Sequence, residues 1–320
     1  MIGIIGAGAF GTALALALGR CGKPVCLWGR DAGAMDQMQH TRQTVGHLPG
    51  LILPQTVSVT AIFDQLQDAQ ALLIVLPMQQ IASFCATHAA FLNRRSLVAC
   101  CKGLDVATLQ GPSALLSAVA PASTVAVLTG PSFAVDIARG LPTALTLACA
   151  DPHQGQELQT LLATPGLRIY RSEDVRGAEL GGALKNVIAI AAGMVIGAGY
   201  GDSARAALIT RGHSEMRLLA LALGARSETL AGLSGLGDLI LTCTSEQSRN
   251  FRHGRAMASG SLPDHTQTVE GVATAKVVSV LAESLQLDMP ICIMVAAVLS
   301  GKINVEAATT ALLQRPLKQE

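Results

Sequence analysis

The sequence predicts an α/β chain: a doubly wound parallel sheet first, then a mainly α-helical second domain. Three observations carry that expectation. Short β-like runs alternate with longer helical runs through the first half, and a glycine-rich turn joins the first strand run to the first helical run. After residue 177 the alternation gives way to long Ala- and Leu-rich segments. Such alternation implies parallel strands linked by crossover helices.

Taken in order, the β-like runs are Ile2 to Ile5, Val25 to Trp28, Leu72 to Leu76, Leu97 to Ala99 and Val125 to Leu128, with a helical run from Thr12 to Arg20 after the first. Each strand run is apolar throughout, as expected where helices cover both faces of a sheet. Tyr170-Arg171-Ser172-Glu173-Asp174 reads as a polar interval after the last strand run. The expected domains are therefore 1–177 and 178–320. In the second, Ala178 to Gly199, Arg205 to Leu223, Val272 to Leu285 and Ile291 to Leu299 have helical spacing and exceed strand lengths. The most apolar stretch, Val187 to Tyr200, is dotted with Gly and falls short of the roughly 20 apolar residues of a bilayer span. It reads as a buried helix, with no membrane insertion expected.

Composition excludes several function classes. The 320 residues are 50% hydrophobic, enough for a large core, and carry a formal charge of +1 with 14% charged residues. Only six Phe, two Tyr and one Trp are present, so neither a phosphate-tracking surface nor a base-stacking platform is expected, and nucleic acid is not an expected partner. Eight cysteines, at 21, 26, 85, 100, 101, 149, 243 and 292, show no Cys-x-x-Cys spacing and no His-rich companion. They read as buried, reduced thiols, and no metal site is expected. Met1 to Gly6 enters a strand at once, without a basic leader, so a cytoplasmic chain is expected.

Gly6-Ala7-Gly8-Ala9-Phe10-Gly11 lies between a strand run and a helical run, the setting in which a Gly-x-Gly-x-x-Gly turn binds a dinucleotide. In the Rossmann-like arrangement, Gly6 permits the tight turn, Gly8 lets backbone approach the pyrophosphate, and Gly11 lets the helix pack on the strand. Exposed amides at the helix start meet the negative charge. After the second strand run comes Trp28-Gly29-Arg30-Asp31. Arg30 can clamp a ribose 2′-phosphate through its planar donors, while Asp31 can cap the next helix. The reading favours NADPH and keeps NADH open; a plain solvated charge remains the alternative for Arg30.

Reduction of a carbonyl needs a proton donor and support for negative charge on oxygen. In Glu179-Leu180-Gly181-Gly182-Ala183-Leu184-Lys185-Asn186, a lysine stands at the start of the most apolar helical segment. Gly181 and Gly182 weaken that helix and imply close backbone approach. The bland reading of Lys185 is a solvated ammonium on an apolar stem.

These segments resemble the bacterial NAD(P)-dependent glycerol-3-phosphate dehydrogenases over nearly the whole chain. The resemblance rests on Cys101-Lys102-Gly103-Leu104, Thr129-Gly130-Pro131-Ser132-Phe133-Ala134, the run Glu179 to Ala191, Gly235-Leu236-Gly237-Asp238-Leu239, Ser248-Arg249-Asn250 and Val269-Glu270-Gly271. It implies that Lys185 is the general acid in carbonyl reduction and the base in alcohol oxidation, with Lys102 supporting the substrate oxygen. It further implies that Asp238, Asn186 and Thr242 orient the lysine or substrate hydroxyls. Ser248, Arg249 and the Asn250 amide would hold phosphate, and Gly130 and Ser132 would line the substrate pocket. Ala9, Phe10, Arg30, Lys102, Ala134, Arg249 and Glu270 fall on the cofactor side.

By this resemblance the substrate is a phosphorylated triose, glycerone phosphate, reduced between the domains to sn-glycerol 3-phosphate for phospholipid synthesis. The apolar second domain leaves room for a homodimer. Judged alone, Asp238 keeps a turn or cap residue as its alternative reading, Arg249 keeps a surface charge, and Glu270 reads equally as a surface charge. Two departures from the family pattern stand out: Phe10 where Trp is common, and Leu76-Pro77 leading into Met78-Gln79 where a Ser-His pair is common. The competing readings are a related two-domain dehydrogenase of a β-hydroxy acid or ketopantoate, and a non-catalytic nicotinamide-binding sensor.

Overall fold

The computed structural model describes residues 1–46, 48–261 and 268–316. Two compact units emerge: Met1–Lys102 with Gly111–Glu179, and Gly103–Gln110 with Leu180–Glu320.

Among the described residues the first unit builds one eight-stranded sheet. Its strands are β1 (Ile2–Ile5), β2 (Val25–Trp28), β3 (Val57–Thr60), β4 (Ala71–Ile74), β5 (Ser96–Ala99), β6 (Thr124–Thr129), β7 (Thr143–Cys149) and β8 (Leu167–Ser172). Their order is β3-β2-β1-β4-β5-β6-β7-β8. All neighbours run parallel except β6 and β7, so the last two strands oppose the rest. β1 pairs with β2 on one side and β4 on the other, which makes its C-terminal end the point where the winding reverses and ligands bind in such sheets.

The unbroken apolar runs have a direct cause. Ile2, Ile4, Val25 and Leu27 pack on one face against α1 (Ala9–Arg20), α2 (Ala32–Thr41) and two later helices, α5 (Ala134–Arg139) and α6 (Pro152–Leu162). Ile5, Cys26 and Trp28 pack on the other against α3 (Ile81–Leu92) and α4 (Pro112–Val119). Side chains alternate between faces, and both faces are dry.

Three sequence expectations are corrected here. Tyr170-Arg171-Ser172 is not a polar interval after the last strand but the second half of β8. β8 is an edge strand in which Leu167 and Ile169 are buried while Arg168, Tyr170 and Arg171 are exposed, so its pattern alternates and a search for unbroken apolar runs passes over it. Its charged outer face also discourages pairing with another chain. The cysteines are free thiols, as expected, but Cys21 is exposed in the turn after α1 and Cys101 is half-buried. Finally, Lys185 is not at a helix start.

That last correction follows from the bounds of α7 (Val175–Gly197), which place Lys185 in mid-helix. Around it in the second unit lie α8 (Gly201–Ala222), α9 (Ser227–Ala231), α10 (Asp238–Cys243), α11 (Arg249–Ala258), α12 (Glu270–Ser284), α13 (Pro290–Leu299) and α14 (Val305–Leu313). Among the described residues, α7 is the one helix long and apolar enough to cross a membrane by length and composition, and 83% of its apolar window is buried. Consecutive residues Val187, Ile188, Ala189 and Ile190 are all buried, the mark of a helix enclosed on every side. Leu104 and Leu109, from the short 103–110 segment, join the same core.

Two buried carboxylates close helix ends whose N-cap residues supply no side-chain acceptor. On α8, Glu215 accepts the Ile291 amide at 2.7 Å and the Cys292 amide at 3.0 Å, at the start of α13. Glu179 accepts the Ser113 amide at 2.7 Å, at the start of α4. A β-carbon on Gly111 would lie 1.9 Å from that carboxylate, which explains the glycine there. Burial raises the pKa of both groups, and the hydrogen bonds oppose the rise.

Glu215→Ala is expected to leave two buried amides unpaired and to cost about 2–4 kcal/mol in urea unfolding. Because the folded carboxyl titrates above its unfolded value, its linkage contribution is full below the unfolded pKa and is lost as pH rises through the folded one. The stability gap between wild type and Glu215→Ala should therefore narrow from acid toward neutral pH. A gap that widens would contradict the placement of this carboxyl.

Candidate active site

In the first unit, the glycine turn leaves β1 with Gly6 at φ +118°, where a β-carbon would lie 2.4 Å from the Val75 carbonyl oxygen. A β-carbon on Gly11 would lie 2.0 Å from the Gly6 carbonyl oxygen. Both glycines are thus required by packing. Gly8 differs: nothing lies within 4 Å of its would-be β-carbon, so open space faces the start of α1. Gly8 provides no side-chain cap, and the first turn of α1 carries no acid. Amides of Ala9, Phe10 and Gly11 are among the donors without a partner inside the helix. An open, side-chain-free turn before a twelve-residue helix fits a pyrophosphate.

Beyond β2, Asp31 accepts the Ala34 amide at 3.0 Å and caps α2. Its carboxylate is committed to that cap. Arg30, next to it, is exposed. Phe10 and Ala134 are half-buried against the sheet core.

At the ends of β5 and β6, three expected residues meet. Lys102 Nζ donates to the Gly130 carbonyl at 3.0 Å, and Ser132 Oγ donates to the same carbonyl at 3.1 Å. Gly130 itself sits at φ +130°, a left-handed conformation that favours glycine. Just before it, the hydroxyl of Thr129 is buried without a hydrogen-bond partner.

The second unit holds a buried polar cluster. Lys185 Nζ lies 2.5 Å from Asp238 Oδ1 and donates to Thr242 Oγ1 at 2.7 Å, while Thr242 Oγ1 donates to the Asp238 carbonyl at 2.6 Å. Lys185 is 6% exposed and Asp238 fully buried. Burying an ammonium this deeply requires the carboxylate and the hydroxyl together. Asp238 is delivered by a wide π turn, Leu233–Gly237, a local irregularity frequent at functional sites. Gly235 would place a β-carbon 2.0 Å from the Leu230 carbonyl, and Gly181 on α7 would place one 2.5 Å from the Ser234 carbonyl. Gly235 thus lets the turn close on the preceding segment, and Gly181 lets it press against the lysine helix, which bears out the close approach inferred for Gly181. Beside the pair, the Cys243 thiol is pushed up to about 12, by burial first, with the Lys185 charge opposing. It stays protonated and inert.

Asn186, next to the lysine, accepts the Asn250 side-chain amide at 2.9 Å, and Asn250 Oδ1 in turn accepts the Gly271 amide at 3.0 Å. This chain ties α7, α11 and the start of α12. Ser248 accepts the Phe251 amide and caps α11, so its hydroxyl is engaged in the helix end. Arg249, the first residue of α11, is exposed, and Glu270, the first of α12, is half-buried. The Asn186–Asn250–Gly271 bridge and the π turn were not foreseen; the visible signal for the turn was the Gly-Leu-Gly spacing before Asp238.

The first unit also has an open cavity of about 530 Å³, lined in part by Gln70, Arg94, Arg95, Asp151 and Gln154 at the N-terminal edge of the parallel strands. That edge is opposite the glycine turn. Arg95 there is engaged with backbone carbonyls and Asp151 with the amides of α6. The larger space is thus not where the chemistry-bearing groups converge.

Comparison with known proteins identifies the family. Residues 1–155 match the family model described as the NAD-dependent glycerol-3-phosphate dehydrogenase N-terminus, and residues 174–310 match the corresponding C-terminus. The chain is 59% identical over 319 residues to the glycerol-3-phosphate dehydrogenase (NAD(P)+) of Paracoccus denitrificans, covering 100% of this chain and 99% of that protein. Identity to the enzyme of the same name from Cereibacter sphaeroides is 57% over 322 residues, with full coverage of both. Among solved structures, the glycerol-3-phosphate dehydrogenase of Coxiella burnetii superposes with a TM-score of 0.93 at 34% identity, covering 98% of each chain. The chain therefore belongs to the NAD-dependent glycerol-3-phosphate dehydrogenase family.

Proposed function

We propose that this protein is a cytoplasmic dehydrogenase that reduces glycerone phosphate to sn-glycerol 3-phosphate, reversibly, and that the product feeds phospholipid synthesis. The observation that carries the catalytic assignment is the buried Lys185–Asp238–Thr242 cluster. In this reading residues 1–179, apart from 103–110, bind the dinucleotide, and the second unit supplies the proton and the phosphate contacts. A bound nicotinamide supplies the hydride equivalent. Lys185 Nζ gives its proton to the C2 oxygen as that oxygen becomes an alkoxide, and in the reverse direction the neutral amine takes the hydroxyl proton. Asp238 balances the ammonium charge, Thr242 fixes where Nζ points, and Asn186, bonded to Asn250, orients the substrate hydroxyls beside it.

Lys102, held at the Gly130 carbonyl beside Ser132, adds positive charge for the developing oxyanion. Arg249 and the Asn250 amide, at the start of α11, suit a phosphate by charge and by the free donors of a helix end. The open turn at Gly8, with Ala9, Phe10 and Gly11, receives the pyrophosphate, and Ala134, Arg249 and Glu270 complete the cofactor side. Arg30, exposed where Asp31 is occupied as a cap, favours NADPH over NADH.

Lys185→Met is expected to lower kcat by about 10²–10⁴-fold, while NADPH binding, followed by its fluorescence, stays near wild type. Full turnover in that variant would remove the proton-transfer role. Arg30→Ala should weaken NADPH binding about 10–100-fold, the loss of charge-assisted hydrogen bonds, and leave NADH binding unchanged. An equal effect on both coenzymes would show that Arg30 does not read the 2′-phosphate.

A further inference from the structure

Lys185 and Arg249 sit on different helices, and something must hold the carbonyl-directed end of the site at a set distance from the phosphate-directed end. α7 and α11 touch backbone to backbone. A β-carbon on Gly193 would lie 2.0 Å from the Phe251 carbonyl oxygen, and one on Gly254 would lie 1.9 Å from the Ile190 carbonyl oxygen. Two turns beyond Lys185 on α7, and little more than a turn beyond Arg249 on α11, the helices thus meet reciprocally. Gly197, one turn further, repeats the contact at 2.4 Å from the Arg255 carbonyl oxygen.

Helices that meet through ordinary side chains keep their axes about 8–10 Å apart. The obstacles here are backbone atoms, which no rotamer change can remove. Glycine weakens a helix interior, so three at one contact call for a reason.

A second observation supplies the register. The Asn250 carboxamide is fixed at both ends, donating to Asn186 Oδ1 and accepting from the Gly271 amide. A β-carbon on Gly271 would come within 2.7 Å of both the Asn186 carbonyl oxygen and Asn250 Oδ1. This bridge can close only if α11 lies as near α7 as the glycines allow. It joins the residue after Lys185 to the residue after Arg249, so the glycine contact and the carboxamide together locate one end of the site from the other.

We propose that Gly193 and Gly254 are positioning residues, and that the glycine contact closed by the Asn186–Asn250–Gly271 bridge sets the reach from the Lys185 ammonium to the phosphate contacts at Arg249. The inference rests on the proposed roles of Lys185 and Arg249. A β-carbon at 254 pushes the start of α11 outward and leaves Lys185, Asp238 and Thr242 in place. Recognition of phosphate then falls out of step with proton delivery, whereas proton delivery by itself does not suffer.

The test compares glycerone phosphate with dihydroxyacetone, which presents the same carbonyl without the phosphate. In Gly254→Ala, kcat/KM for glycerone phosphate should fall about 10- to 100-fold, with the value for dihydroxyacetone little changed, so that their ratio collapses. Thermal unfolding and NADPH binding report whether the variant is folded. Should it fail to fold, Gly197→Ala, further from both ends of the site, is read by the same ratio and is expected to show a smaller fall. Arg249→Ala is the reference. If it leaves the ratio unchanged, the phosphate assignment fails. If it collapses the ratio while the folded glycine variant lowers both substrates equally, or neither, the positioning role is overturned.

Discussion

A lysine ammonium inside an apolar helical core is tolerated only where its charge is answered, and much of the second unit is arranged to answer it. Lys185 points into a space closed by Asp238 and Thr242. For Asp238 to arrive within 2.5 Å, the chain before α10 widens into a π turn and presses on α7. Gly235 lets the turn close on Leu230 and Gly181 lets it approach α7, each by carrying no β-carbon. Breaking such a pair is far costlier than forming it is rewarding, because one partner is left as an uncompensated buried charge. The cluster is thus poor as a stabilising device and well suited to holding a movable proton away from water.

The first unit solves a different problem, leaving a helix end available. Several helix starts are closed by a side chain: Asp31 on α2, Asp151 on α6, Ser248 on α11 and Asn304 on α14. Glu179 and Glu215 reach from elsewhere in the chain to do the same for α4 and α13. At α1, next to the point where the sheet winding reverses, neither a capping side chain nor a first-turn acid is present. Donors left unmet there are a natural match for phosphate oxygens.

What could be read from the residues alone follows the range of the forces involved. Five of the six central strands were legible because burial on two faces produces unbroken apolar runs, whereas β7 was passed over because Thr143 and Thr146 interrupt its run. Edge strands β3 and β8 were not, because one of their faces meets water and the pattern alternates. The glycine turn at 6–11 was legible because strand, turn and helix are contiguous. Lys185 was singled out by its apolar surroundings and by family resemblance, but its mid-helix position was missed, since the most apolar run begins only at Val187 and made the lysine look like that run's start. The pairing of Asn186 with Asn250, 64 positions apart, and the reach of Glu215 to residue 291 leave no local trace. Polar residues that satisfy one another at long range are indistinguishable, in sequence, from polar residues that face solvent.

The two lysines show why local chemistry has to be settled by three-dimensional setting. Lys102 is half-buried and donates to a backbone carbonyl, a neutral acceptor that fixes its direction. Lys185 donates to a carboxylate in a dry site, where its charge is balanced. In the proposed mechanism a proton leaving Lys185 would uncover the Asp238 charge at the moment the substrate oxygen is neutralised, so the transfer would relocate charge over a short distance with little solvent to reorganise. An ammonium anchored to a carbonyl is better suited to lending its field to a developing alkoxide. The proposed division between proton donor and electrostatic support therefore follows from what each ammonium touches.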